Sequence, residues 1–540
     1  MSGALPVKKE PSAEVLELSP RPADAPDFRQ QMGHISRHSA VFFAGTIFTA
    51  ATGYLFKIYL ARVLGAEALG IYALGMTIVG LLGIFNALGL PYSAVRFVAS
   101  YTATARFDLL RGFLVRSISL LLLFNLVLGG AVLLVGPWVA LHVYHTPALN
   151  RYLGLFALIM IFGALTGFLG QVLTGYKDVA RRTVITNFIG SPLTMVFTLV
   201  LVGAGLSLWG YIFAQVASAL VVIVLLAAAV WKLTPKAARA FSGALAPVEN
   251  EVISFSAVAF GVSFLEYLMS QADKILIGFY LNAREVGIYA VAMALVAFVP
   301  IILQSVNQIF SPIISDLYAR GKIELLGRIF QTLTKWILGL TFPLAAGMVI
   351  FAPALMRIFG RDFAAGWAVL AIGAVGQLIN CGVGSVGYLL LMSGNQRRLI
   401  RIQAVMACAT VALNLVLIPK WGIVGAAFGA AVVNAVTNVW YLAEVRRRLG
   451  LHPYNRSYWR LLLPICGNLA VLLMTRRVLQ ERVLQEVRPE WLVIVAGLSL
   501  AYCAFLVIAM LFGLDADDRL IAGAVWSKVR ETFQGAEGKA

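Results

Sequence analysis

Of the 540 residues, 60% are hydrophobic and 13% charged, and the formal net charge is +18. A soluble domain holds about 45–50% apolar and about 25% charged residues, so the chain reads as an integral membrane protein. The positive charge then belongs to loops facing cytoplasm and anionic lipid, which argues against nucleic acid as a partner.

Residues 1–36, rich in Pro, Ala and charge, read as a disordered cytoplasmic tail. Lys8 and Lys9 are followed by polar sequence and not by the apolar core of a signal peptide. Apolar runs of about 20 residues, the length that crosses a ~30 Å hydrocarbon core, follow near 40–61, 69–92, 113–140, 152–174, 183–204, 208–231 and 253–281. They continue near 286–310, 329–356, 364–392, 400–418, 422–444, 458–478 and 491–513. An all-α membrane fold of about fourteen transmembrane helices is expected. The four cysteines, Cys381, Cys408, Cys466 and Cys503, all fall inside these runs and read as small buried hydrophobes.

Lys and Arg set the orientation. Even-numbered loops carry Arg106 and Arg111, then Lys177, Arg181 and Arg182, then Arg320 and Lys322, then Arg397, Arg398 and Arg401, and then Arg446 to Arg448. Odd-numbered loops are sparse in cations, except that Arg476, Arg477, Arg482 and Arg488 separate the last two spans. Both termini are therefore expected on the cytoplasmic side of the membrane.

The run "LFKIYLARVLGAEALGIYALGM" from Leu55 returns as "ADKILIGFYLNAREVGIYAVAM" from Ala272. A shift of 217 residues matches Lys57 to Lys274, Gly70 to Gly287, Tyr72 to Tyr289 and Arg111 to Arg328. Six helices per repeat is an even number, so the halves run parallel about an axis along the membrane normal. This divides the chain into bundles over 37–240 and 241–448, two extra helices over 449–513 and a cytoplasmic tail over 514–540. Two facing bundles imply a central cavity and alternating access.

The stretches "YLARVLGAEALGIYALGM", "LGLPYSAVRFVASY" and "YLLLMSGNQRRLIRIQAVMACATVALNLVLIPKWGIVGAAFGAAV" resemble the polysaccharide-biosynthesis flippases. Their superfamily also holds the multidrug/toxin extrusion antiporters and the lipid II flippases, and the resemblance covers roughly residues 36 to 445. It implies movement of an undecaprenyl-pyrophosphate-linked oligosaccharide repeat unit between leaflets, for export of a cell-surface polysaccharide by polymerase and export partners. Related transporters place cation sites in one bundle or the other, built from carboxylates and amides. Here the corresponding helices offer Gln377, Asn380, Thr410 and Asn414 without an acid. H⁺, Na⁺ or no coupling ion all stay open.

A diphosphate and a glycan need a wet, cationic cavity. Lys57, Lys274, Arg96 and Arg62 are the candidate cations, the lysines at repeat-related positions and Arg96 just past Pro91. Snorkelling of each lysine to the interface is the competing account. In "FLEYLMSQADK", Glu266, Ser270, Asp273 and Lys274 fall at spacings that share a helix face. Glu266, Asp273 and Asn414 are the candidates for ion coupling, with structural roles as the alternative. No enzyme is expected, and no cofactor: "DADD" at 515–518 has no globular domain beside it, and His142/His145 and His34/His38 lack acidic or Cys partners. Two other functions compete with the flippase. A drug/toxin cation antiporter would want an acidic or aromatic cavity. A polymerase or ligase would want a long catalytic loop.

Overall fold

The computed structural model describes residues 25–240, 267, 270–480 and 490–512, with side chains of the first helix described from Thr52 onward. Glu266, the join between the repeats, Arg482, Arg488 and the tails at 1–24 and 513–540 lie outside the described residues. Everything regular among the described residues is helical.

Helix α1 runs Ala25–Ala87, so residues 25–36, expected as unstructured tail, are helical. It contains the first two expected spans, separated only by Gly65 at φ 78°. A residue without Cβ takes that conformation at little cost, and the chain reverses there without a loop. Arg62 therefore sits in a helical turn. Then come α2 (Leu90–Ala103), α3 (Phe107–Trp138), α4 (Leu153–Gly175), α5 (Ser191–Leu201) and α6 (Ser207–Leu233). The second repeat continues with helical residues 270–280 as α7, then α8 (Ala283–Val296), α9 (Ile301–Ala319), α10 (Ile323–Ile350), α11 (Trp367–Val383) and α12 (Val386–Met392). Helix α13 (Gln396–Leu449) joins two further expected spans at Gly422, φ 59°, and α14 (Leu462–Gln480) and α15 (Glu490–Phe512) complete the chain.

Among the described residues nine helices are long and apolar enough to cross a membrane, or ten if the pair α8 and Ile301–Asn307, bent by 52°, is one span. Two of the nine, Val179–Leu233 and Gln396–Leu449, are 55 and 54 residues long. At 1.5 Å per residue either is more than twice the length of a single crossing. Gly210 lies against Leu201, and Gly425 against the Leu417 carbonyl, so each folds back on itself.

Helices α1 to α6 pack with one another, as do α9 to α13, while α14 and α15 pair and lie on α10. There Tyr502 donates to the Leu340 carbonyl at 2.8 Å and Asn468 to that of Ala501 at 3.0 Å. Large apolar side chains such as Leu123, Leu134, Val200, Val224 and Met510 point outward, as hydrocarbon solvent demands. Three cysteines expected to be buried, Cys408, Cys466 and Cys503, are also on this outer face; Cys381 is buried.

The bundles meet where the second half of α1 packs on α8. A Cβ at Gly70 would overlap the Ala283 carbonyl, and one at Gly287 would overlap that of Ala66. Both pairs are related by the same 217-residue shift, so the seam is a pseudo-twofold contact. At the opposite, basic end, α2 packs on α3 and α4, and α9 packs on α10 and α12, each inside its own bundle.

Candidate functional site

Just inside the Gly70–Gly287 seam lies a cavity of about 550 Å³. Lys57 enters it from the first half of α1 and Lys274 from α7, close enough to interact electrostatically. Each lysine is steadied by the residue three positions earlier, one turn away on the same helix face. Lys57 Nζ sits 4.9 Å from the Tyr54 ring centroid, and Lys274 Nζ donates to Gln271 Oε1 at 2.8 Å. Tyr54 and Gln271 are themselves repeat-related, so one architecture holds two cations with different polar neighbours.

Four tyrosines, Tyr54, Tyr72, Tyr211 and Tyr267, line the same cavity. Tyr72 and Tyr211 rings stand 4.8 Å apart, and the Tyr72 hydroxyl donates to Gln215 Oε1 at 3.0 Å. Two tyrosines cross between the bundles. Tyr54 of α1 donates to the Ala294 carbonyl of α8 at 2.6 Å, and Tyr267 donates to the Thr77 carbonyl of α1. Positions 77 and 294 are again 217 apart. Each lateral seam is thus closed by a tyrosine bonding to an equivalent carbonyl, with donors one helical turn out of register.

No carboxylate lines the cavity among the described residues. Two ammonium groups, hydroxyls and an amide can hold an anion with attached hydroxyls, since ammonium groups only donate and hydroxyls both donate and accept. A phosphate oxygen about 4 Å from one ammonium gains about 4 kcal/mol at the effective dielectric of a protein surface.

The other expected cations lie elsewhere. Arg62 does not line the cavity: its Nε donates to the Ile358 carbonyl at 2.8 Å, tying α1 to the second bundle beside the seam. The Gly65 break turns its side chain toward that mouth. Arg96 is exposed on α2, its guanidinium 5.4 Å over the Phe97 ring, and is also absent from the cavity wall. Asp273 and Lys274 do not share a face. Neighbours in a helix diverge by about 100°, so Lys274 reaches the cavity while Asp273 turns to α8 and accepts from Tyr289 Oη at 2.5 Å. Ser270 is exposed and bonds back to the Tyr267 carbonyl.

Asn414 is fully buried, away from the cavity, and neither of its side-chain polar atoms has a hydrogen-bond partner. Its Oδ1 faces Gly429 in the returning half of α13. Among the described residues no group of three His, Cys, Asp or Glu could hold a metal ion.

Several residues of this region carry no sequence signal of charge at mid-span. The tyrosines and Gln271 read as ordinary interfacial or core side chains; only the 217-residue alignment, which sets Gln271 opposite Tyr54, hints at them. Lys335 is 2% exposed inside α10, in a segment whose mixed pattern does not mark it.

Comparison with known proteins supplies the family. Residues 59–366, more than half of the chain, match the family described as "Polysaccharide biosynthesis protein". A probable low-salt glycan biosynthesis flippase, Agl15 of Haloferax volcanii, is 26% identical over 182 residues, 33% of this chain and 39% of that relative. The chain thus spans about two-fifths of that curated relative's length. Among solved structures, the lipid II flippase MurJ in an inward closed conformation superposes with a TM-score of 0.67 over 88% of this chain and 98% of its own, at 13% identity. An inward-facing multidrug resistance MATE family transporter of the MOP superfamily gives 0.63 over 75% and 94%, at 14% identity. The chain belongs to the polysaccharide biosynthesis protein family and shares its fold with those two solved structures.

Proposed function

We propose that the protein flips undecaprenyl-pyrophosphate-linked oligosaccharide repeat units across the cytoplasmic membrane by alternating access, for export of a cell-surface polysaccharide. The observation that carries this reading is the pairing of Lys57 and Lys274 in one cavity free of described carboxylates. Repeat-related cations suit a diphosphate with two faces, and the tyrosines suit the polar glycan. The similarity to Agl15, a probable low-salt glycan biosynthesis flippase, supports the same cargo class.

With the basic loops assigned to the cytoplasm, the Gly70–Gly287 seam faces outward and the described conformation opens inward. This reading puts both termini in the cytoplasm, counts fourteen crossings and keeps the domain limits set out above, with a polysaccharide polymerase as downstream partner. Arg96 and Arg62 then act as cations of the two mouths. Asp273 with Tyr289, Asn414 and the undescribed Glu266 are the candidates for sensing H⁺ or Na⁺.

The test is deletion of the gene and identification of the lipid-linked sugar that accumulates in the inner leaflet. Accumulation is expected. Increased sensitivity to cationic dyes with no accumulating sugar would instead favour the drug-antiporter reading; the four cavity tyrosines suit either cargo, while the two lysines speak against a cationic one.

A further inference from the structure

We propose that an apolar pocket beside the cation cavity receives the isoprenoid chain of the cargo, with Tyr267 as the gate between the two chambers. This rests on the flippase reading and adds a route for the tail. The pocket, about 320 Å³, lies between the second half of α1, α3 and α7, and its walls include Leu82, Val132, Gly136 and Ile275. Thr77 lines both this pocket and the cation cavity, so the chambers are separated by one position of the chain.

An amphiphile that carries two charges on one end of a hydrocarbon chain needs those two environments side by side. A purely aqueous cavity would force the chain into water, and a purely apolar one would strip the diphosphate of partners. Here ammonium groups occupy one chamber and apolar walls the other. Val135, on the pocket wall, is 54% exposed on the lipid-facing side of α3. The chain can therefore continue from the pocket into the bilayer.

The partition is built to move. Tyr267 reaches across the α7–α1 seam to the Thr77 carbonyl, and its ring rests on Gly80, where a Cβ would lie within 2.6 Å of the ring. The opposite seam is held differently: the Tyr54 ring packs on Phe298 at 3.9 Å between centroids and carries Lys57 above it. A swing of Tyr267 frees one hydroxyl from the Thr77–Leu81 turn of α1 and displaces nothing from Gly80. Moving Tyr54 would unseat both an aromatic neighbour and one of the cavity's two cations, Lys57.

The experiment compares binding of farnesyl diphosphate and inorganic pyrophosphate to the full chain in lipid nanodiscs, corrected against empty nanodiscs. At least tenfold tighter binding of the farnesyl compound is expected. Ile275→Trp, which fills the pocket, should bring the two affinities together while pyrophosphate binding stays within twofold. If that variant fails to assemble, Val132→Phe fills the pocket from α3 and is read the same way. An isoprenoid advantage that survives the filling overturns the proposal. So does a wild-type protein that binds both probes equally, although the diphosphate reading would then stand. Failure to bind pyrophosphate at all would overturn both.

Discussion

Gly70 and Gly287 stand 217 residues apart in sequence and touch across the seam between the bundles: a Cβ on Gly287 would lie 2.9 Å from the Gly70 nitrogen. The repeat already aligned these two glycines. Their meeting, each beside the other's partner helix, shows why both copies lack a side chain there.

Gly70→Val should prevent closure of that seam. Forcing bulk into a packed contact costs about 1–3 kcal/mol, enough to populate the opened state about fivefold or more over its present level. A cysteine at Ala290, which lines the cavity, would be labelled several-fold faster by a membrane-impermeant thiol reagent added outside. An unchanged labelling rate at normal protein level would show that the glycine contact does not set the closed state.

Lys57→Ala and Lys274→Ala should each slow translocation of lipid-linked sugar. A hydrogen bond to a charged partner contributes about 1.5–3 kcal/mol, so a loss of about tenfold or more per substitution is expected, and Lys→Arg should restore part of it. Normal transport by the double variant would leave snorkelling as the better account of both side chains.

Tyr289→Phe leaves the Asp273 carboxylate without the hydroxyl that lies 2.5 Å away. An unmet buried acceptor costs about 1–3 kcal/mol, and more when charged. The variant should melt at a lower temperature than wild type, and Asp273→Asn in the same background should recover some of the loss. The proposed coupling role makes a separate demand: transport by Asp273→Asn should no longer respond to collapse of the proton gradient. Retained response would confine Asp273 to structure.

Asn414→Leu provides a contrast. Both polar atoms of Asn414 are buried and unpartnered, so an apolar residue of similar size removes an unmet desolvation cost. Thermal stability is expected to stay level or rise. If Asn414 serves ion binding, the same variant loses Na⁺-dependent transport; if transport is unchanged, its role is packing alone.

Much of this architecture is legible in residue order because hydrocarbon solvent leaves the backbone one economical solution. The apolar runs and the repeat mark the helices, and the mid-span lysines mark the cavity. Helix breaks were less visible: nothing in "RVLGAEA" distinguishes a one-residue reversal at Gly65 from a loop. That reversal sends Arg62 to Ile358 and not inward. Asp273 was misplaced because spacing along a helix assigns a face only relative to neighbours, and α8 decides which side is buried. The bonds made by Tyr54 and Tyr267 leave no mark in the sequence, since their partners are backbone carbonyls that carry no side-chain signal.

The glycine seam has one further consequence. Contacts between exposed ions weaken as salt screens them, with a Debye length near 8 Å at physiological ionic strength. An ion pair at this end, Arg284 with Asp362, is more than half exposed on both sides, whereas the seam itself is backbone against backbone. On the proposed orientation, a mouth shut in this way would keep its seal through swings in external salinity or acidity, leaving the cargo, not the weather outside the cell, to decide when it opens.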